Sequence, residues 1–357
     1  MWNQSRITEL LEIEYPILQG PMGGGFSTID LLAAVSNAGG LGSFGAYTLS
    51  PEEILKIGRT IKAKTTKPYN LNLWVSDVDE SLTNYSRESL DKVEVLFKPY
   101  FDELSIPLPE LSPDIPSKFE NQMEALFEIR PPVFSFIFGI PSKEILAECR
   151  RLGIKTIGTA TTVDEAIALE EAGADAIVAS GFEAGGHRPS FLRPPQESFT
   201  GLFTLIQQLK AKIQTPVIAA GGITNGRGIA AAFMLGAEAV QPGTAFLVCD
   251  ESGASQAHKD KLLSDESKNT IVSKSMTGRM GRMVKNRISE EIKSEIEVLP
   301  FPLQTKLLAP LRAAAIAQGK TDMINFWSGQ NTTGLKKVKA EELMQLLIED
   351  ATKLLNR

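Results

Sequence analysis

Short, nearly continuous apolar runs alternate with amphipathic stretches along most of the chain, and this alternation restricts the fold more than any other feature. The runs lie at Tyr15–Gln19, Leu41–Ala46, Tyr69–Val75, Val133–Phe138, Thr156–Gly158, Asp175–Ser180, Pro216–Ala220 and Ala239–Gln241, with helical periodicity between most of them. Runs of this kind suit parallel strands that are covered on both faces. Helix starts punctuate the pattern. Ser50-Pro51-Glu52-Glu53 supplies an N-cap, a proline at the first helical position and acid against the positive end of the dipole. Thr162 with Glu165 reads as a capping box. Eight strands alternating with helices, the last five evenly spaced, predict an α/β fold of the (β/α)8 barrel type rather than an open doubly wound sheet.

Such a barrel needs roughly 250 residues. It is therefore assigned to residues 1–253, and residues 254–357, mostly helical in pattern, are expected to pack over the barrel mouth. Within the barrel, residues 78–131 become charged, helix-forming and broken by Pro107, Pro109, Pro113 and Pro116. This segment reads as an insertion, helical at Arg87–Leu96 and Phe119–Phe127, and as a candidate part of a lid.

Composition narrows the function. At 357 residues and 43% hydrophobic content the chain can bury a sizeable core. A net charge of −6 leaves no basic stripe for a phosphate backbone, despite the Lys/Arg cluster between Lys274 and Arg287, so nucleic acid is not an expected partner. No stretch approaches the roughly 18 consecutive apolar residues of a membrane span, and the amino terminus does not read as a signal segment. A cytoplasmic protein without a membrane partner is expected, and a homo-oligomer is compatible with the composition. Cys149 and Cys249 belong to no CxxC or Cys/His cluster, so both read as buried packing residues and no metal site is expected.

Three strand ends carry the chemistry. After Ala176-Ile177-Val178 the chain breaks into Ala179-Ser180-Gly181-Phe182-Glu183-Ala184-Gly185-Gly186-His187-Arg188-Pro189. The glycines allow a sharp turn or a close approach to a ligand, and they flank one of only two histidines, which makes His187 the first candidate for proton chemistry. Glu183 reads as a structural carboxylate bonding backbone amides or Arg188. Arg279, Arg282 and Arg287 could face an anionic substrate across the mouth, but they read as a solvated helical face and are left out of the site. The other two strand ends are Ala219-Ala220-Gly221-Gly222-Ile223-Thr224 and Gln241-Pro242-Gly243-Thr244-Ala245. Both expose backbone N–H groups ahead of a helix, which is how a dianion is held, and the loops after strands seven and eight commonly bind phosphate in such barrels. No GxGxxG follows the first strand, so a nucleotide with one phosphate fits better than a dinucleotide. A planar aromatic cofactor could lie with its edge against Met22-Gly23, in a space lined also by Asn72.

The stretches ITELLEIEYPILQGPMGGG, SNAGGLGSFGAY, YNLNLWV, SGFEAGGHRPSF, PVIAAGGITNGRGIAAA and VQPGTAFL together resemble the nitronate monooxygenases, formerly 2-nitropropane dioxygenases. The resemblance runs from about Arg6 to Glu251, with EAGGHR its most specific piece and Trp327-Ser328-Gly329-Gln330 a further fragment. It implies an FMN-dependent barrel enzyme that oxidises alkyl nitronates, or nitroalkanes, with dioxygen to carbonyl compounds and nitrite. It further implies FMN contacts at Met22, Gly23, Asn72, Gly185, Gly222, Gln241, Gly243 and Thr244, with Gly221 in the same turn, and a catalytic role for His187. Ser180 stands where many members have a glutamine near the flavin. Two other readings share the barrel. One is a flavin-dependent enoyl-acyl-carrier-protein reductase using a reduced nicotinamide, which the EAGGHR run disfavours against a GGHxG ending; the other is an inactive flavin-binding barrel.

Overall fold

The computed structural model describes residues 2–79, 81–82, 86–293 and 296–356, so residues 80 and 83–85 of the inserted segment lie outside the described residues. Its strands are β1 Gly42–Gly45, β2 Tyr69–Trp74, β3 Val133–Ile137, β4 Lys155–Ala160, β5 Ala176–Ser180, β6 Gly186–His187, β7 Val217–Ala220, β8 Ala239–Val240, β9 Thr270–Ser273 and β10 Gly281–Val284. Seven of them form one parallel sheet in the order β1-β2-β3-β4-β5-β7-β8. The run at Tyr15–Gln19 closes it: Ile17 bridges Val240 and Leu18 bridges Leu41, both parallel. The cylinder is thus a (β/α)8 barrel whose first strand is reduced to two bridges. Pro16 has no N–H to give, yet its carbonyl accepts from Val240 N at 3.0 Å.

Period-2 alternation along the strands divides two cores. Outward residues such as Leu71, Leu73, Phe134, Phe136, Ile177 and Val217 meet the helices. Inward residues Val133, Ile157, Ala176, Val178 and Ile218 fill the barrel, plugged by Ile7, Leu11 and Ile13 from the first helix, Arg6–Leu11, and its exit. Toward the carboxyl ends of the strands the inward positions turn polar, with Asn72, Ser135, Thr159 and Ser180. Asn72 Nδ2 donates to Ser135 Oγ at 3.0 Å and to its carbonyl at 3.1 Å, so this rim is preset by side-chain bonds.

The helix starts follow the sequence signals closely. Ser50 caps Pro51–Lys64 in a full capping box with Glu53. At Thr162 only half of the expected box forms. Thr162 accepts from Glu165 N, but the Glu165 carboxylate is drawn off to Thr161 N, Thr161 Oγ1 and Phe191 N, tying the helix to the loop after His187.

Helix Phe119–Ile129 packs against Pro51–Lys64 in the helical ring, although its sequence reads with the insertion. Helix Arg87–Glu103 instead packs away from the barrel, where Leu90, Val93, Phe97 and Phe101 join Met276, Met283, Leu303, Leu307 and Leu311 in a second core. Besides its helices, the chain beyond residue 254 contains β9 and β10, which form an antiparallel sheet with β6. The pairing Gly281↔His187, with Arg188 N donating to Met280 O at 2.8 Å, anchors the backbone of the histidine to this carboxyl-terminal hairpin.

Candidate active site

A cavity of about 610 Å³ opens at the carboxyl ends of the barrel strands. Met22, Gly23, Asn72, Ser180, Gly185, Gly221, Gly222, Gln241, Gly243, Thr244 and His187 all line it, so every site residue singled out from the sequence borders one space. Its volume lies within the range of roughly 300–1,000 Å³ usual for small-molecule sites.

One end is built from bare backbone. The N–H groups of Gly222, Ile223, Gly243 and Thr244 find no acceptor among the described residues, and they belong to two neighbouring turns that follow β7 and β8. Gly222 has φ +68°, in the left-handed region that favours glycine. A strap from the carboxyl-terminal region holds both turns. Gly329 N donates to Thr244 Oγ1 at 2.8 Å, Asn331 Nδ2 to Gly222 O at 2.9 Å and Gln330 N to Glu183 O at 2.8 Å. The strap passes so close to the β5 loop that a Cβ on Gly185 would sit 2.5 Å from the backbone of Ser328 and Gly329.

His187 occupies the other end, in an aromatic wall. Trp74 meets its ring edge-on at 5.3 Å, and Trp327 (5.0 Å), Phe301 (5.9 Å) and Phe138 (6.3 Å) complete the enclosure. Tyr47 stacks on Trp74 at 3.6 Å. His187 Nε2 lies 2.9 Å from Thr277 Oγ1, whose own proton goes to Arg279 O at 3.1 Å. Nε2 therefore carries the hydrogen and donates to Thr277, which leaves Nδ1 as the free lone pair. Burial, reinforced by the Arg279 charge, lowers the imidazole pKa from 6.5 to about 3, so the ring is neutral throughout the ordinary working range.

The charged groups around the loop are structural. Glu183 accepts from Leu202 N at 2.9 Å and so caps helix Leu202–Lys210, in line with its reading as a backbone-bonding carboxylate. Arg188 is buried and donates to Ser180 O, Gly181 O and Ser198 Oγ, fastening the turn from beneath.

The arginines read as a solvated helical face need correction. Arg279 and Arg282 are buried, because the chain turns at Gly278, whose φ is +90°, and then runs as β10 paired with β6. Arg279 pairs with Asp79 at 2.7 Å under the Phe138 and Phe301 rings, and Arg282 donates to Phe182 O at 2.9 Å. Only Arg287 matches that reading, in a partly exposed network with Glu103 and Glu291. Tyr47, Trp74, Thr277, Phe301, Thr305, Arg312, Trp327 and Asn331 also border the cavity and are not singled out by sequence reasoning, although Tyr47, Trp74 and Trp327 lie within the family-like stretches.

Among the described residues no helix is long and apolar enough to cross a membrane, and no group of His, Cys, Asp and Glu is arranged to hold a metal. Cys149 and Cys249 are both buried and free.

Comparison with known proteins gives this architecture its relatives. The family model described as nitronate monooxygenase matches residues 4–350. A probable nitronate monooxygenase of Staphylococcus aureus (strain Newman) is 37% identical over 357 residues, covering 99% of each chain. Among solved structures, a nitroalkane oxidase from Streptomyces ansochromogenes superposes with a TM-score of 0.89 at 32% identity, covering 98% of this chain and 99% of its own. FabK from Thermotoga maritima superposes at 0.75 with 28% identity, covering 99% and 97% respectively. With a family match over nearly the whole length and a relative of this identity, the chain belongs to the nitronate monooxygenase family.

Proposed function

We propose that this protein oxidises alkyl nitronates with dioxygen to carbonyl compounds and nitrite, using FMN. The observation that carries the reading is the convergence on one cavity of two amide-bearing turns and a neutral, aromatic-walled histidine. The residues present suit FMN. Four unpaired N–H groups in adjacent turns match one phosphate, no Asp or Glu among the described residues lines the cavity to oppose it, and the space between those turns and His187 suits a planar ring. Gly222, Ile223, Gly243 and Thr244 would hold the phosphate, and Met22, Gly23 and Asn72 the ring edge. FMN supplies the redox chemistry when bound.

The chain's own residues bind, orient and manage the proton. The aromatic wall of Trp74, Phe138, Phe301 and Trp327 excludes water around His187. Thr277 fixes the tautomer, so Nδ1 is the atom able to accept a carbon-bound proton from a nitroalkane. The depressed pKa makes the protonated ring costly, which disfavours that step and favours a substrate arriving as the nitronate, its proton already gone.

The purified protein should be yellow, release FMN and not FAD on denaturation, and oxidise a nitronate in air without any nicotinamide. A colourless protein that cannot be reconstituted with FMN would defeat the cofactor assignment. NADPH-dependent reduction of an enoyl thioester without nitronate turnover would replace the reaction assignment.

A further inference from the structure

Arg312 is the only permanently charged side chain bordering the cavity among the described residues. It projects from helix Leu303–Ala317, whose Thr305 borders the same space. Its neighbours are held by shorter bonds, although Arg279 Nη1 also lacks a partner among the described residues. Arg279 has Asp79, and Arg188 and Arg282 have short bonds to carbonyls. Arg312 has no carboxylate partner among the described residues, and its two contacts are long, 3.5 Å to Met276 O and 3.3 Å to Thr305 O. These lie at or beyond the edge of an ordinary N–H···O bond. A guanidinium with spare donors in an acid-free, aromatic-walled cavity is a receptor for an anion.

Position says which anion. The phosphate turns are strapped by residues 329–331, whereas the Arg312 contacts lie on Met276, next to the Thr277 that holds His187, and on Thr305, whose hydroxyl donates to Thr277 O at 3.4 Å. Arg312 therefore belongs to the histidine end. Tyr47 borders the cavity too, held against the Trp74 that meets His187, and its phenol makes no hydrogen bond among the described residues. Burial raises the phenol pKa to about 12, against the opposing charges of Arg279 and Arg312, so the group stays an O–H donor. A cation with spare donors and a free O–H donor at the histidine end of one cavity match two negatively charged oxygens on one planar group.

We infer that Arg312, with Tyr47, is the specificity-determining pair that receives the anionic oxygens of the substrate and selects the nitronate over its neutral nitroalkane. The inference rests on the proposed nitronate chemistry for its substrate and on the cavity for its geometry. A half-buried site built to pair with charge discriminates against a ligand lacking it, because the desolvation of the cation is then not repaid.

The test uses the FMN-loaded full chain and the variants Arg312→Gln and Arg312→Lys, with a short nitronate that has no carboxylate, its parent nitroalkane, and nitrate as a planar anion that does not turn over. For Arg312→Gln the ratio of kcat/KM for nitronate to that for nitroalkane should fall roughly 10–100-fold, the usual worth of a charged hydrogen bond. Nitrate binding, followed by flavin absorbance and tryptophan fluorescence, should weaken in parallel, and Arg312→Lys should restore part of both. In the unmodified protein nitrate should compete with the nitronate, which keeps the idea open to test if the Gln variant misfolds. An unchanged ratio, loss of FMN in place of nitrate, or an effect confined to nitronates that carry a carboxylate tail would overturn it. If the unmodified protein oxidises no nitronate but binds nitrate in an Arg312-dependent way, the reaction assignment fails and the anion site stands.

Discussion

His187 is a neutral imidazole whose surroundings oppose its charged form. Its Nδ1 is free to accept a proton, but aromatic walls and the Arg279 charge penalise the imidazolium. His187→Asn should therefore lower activity on a neutral nitroalkane by roughly 10²-fold, the low end of general-base effects, and act much less on a preformed nitronate. The comparison within one variant cancels damage to folding or FMN occupancy. Equal losses would show that the ring positions the ligand and abstracts no proton. The same burial has a consequence for stability. With the pKa at 6.5 when unfolded and about 3 when folded, the unfolded chain binds the extra proton, so stability is full above 6.5 and falls as pH drops toward 3. The slope from this one group approaches about 1.4 kcal/mol per pH unit. Urea denaturation at pH 7 and pH 5 should show a smaller difference for His187→Asn than for the unmodified protein, and an unchanged difference would contradict a ring held neutral in the fold.

At the level of elements, the strap at 328–331 makes two short turns into one cradle. Asn331→Ala removes the bond to Gly222 O and should weaken FMN binding roughly 5-fold, as expected for one hydrogen bond of about 1 kcal/mol. Gly185→Ala should do far more, because a Cβ there meets the strap backbone at 2.5 Å and no side chain can yield. Flavin titration of the two variants checks the order. The parts of this site that show in the sequence are those whose signals are local. Strand runs, glycine turns and the Ser50 box each lie within a few residues, and they give the barrel, Gly221-Gly222, Gly243-Thr244 and His187. The aromatic wall does not show, since Tyr47, Trp74, Phe138, Phe301 and Trp327 come from separate stretches and meet only through the fold. Arg279 and Arg282 stand three apart, which suggests a helix face. Their real setting is a turn and β10, fixed by pairing with β6, a long-range contact that no local period reports.

The whole molecule couples two cores through the site. The barrel supplies the turns, while the second core, in which helix Arg87–Glu103 packs against the carboxyl-terminal region, carries the hairpin and helix that present Thr277, Thr305 and Arg312. Phe97 is fully buried in that second core, so Phe97→Ala should cost about 3–5 kcal/mol and lower the urea midpoint for loss of bound flavin along with that for unfolding. Flavin retained after the second core unfolds would show that the barrel alone makes the site. Anaerobic mixing of the FMN-loaded protein with a preformed nitronate tests most directly whether the substrate delivers electrons in this cavity. The yellow absorbance should bleach without nicotinamide and return when air is admitted, with nitrite released. A flavin that stays oxidised with nitronate but bleaches with NADPH would contradict the account.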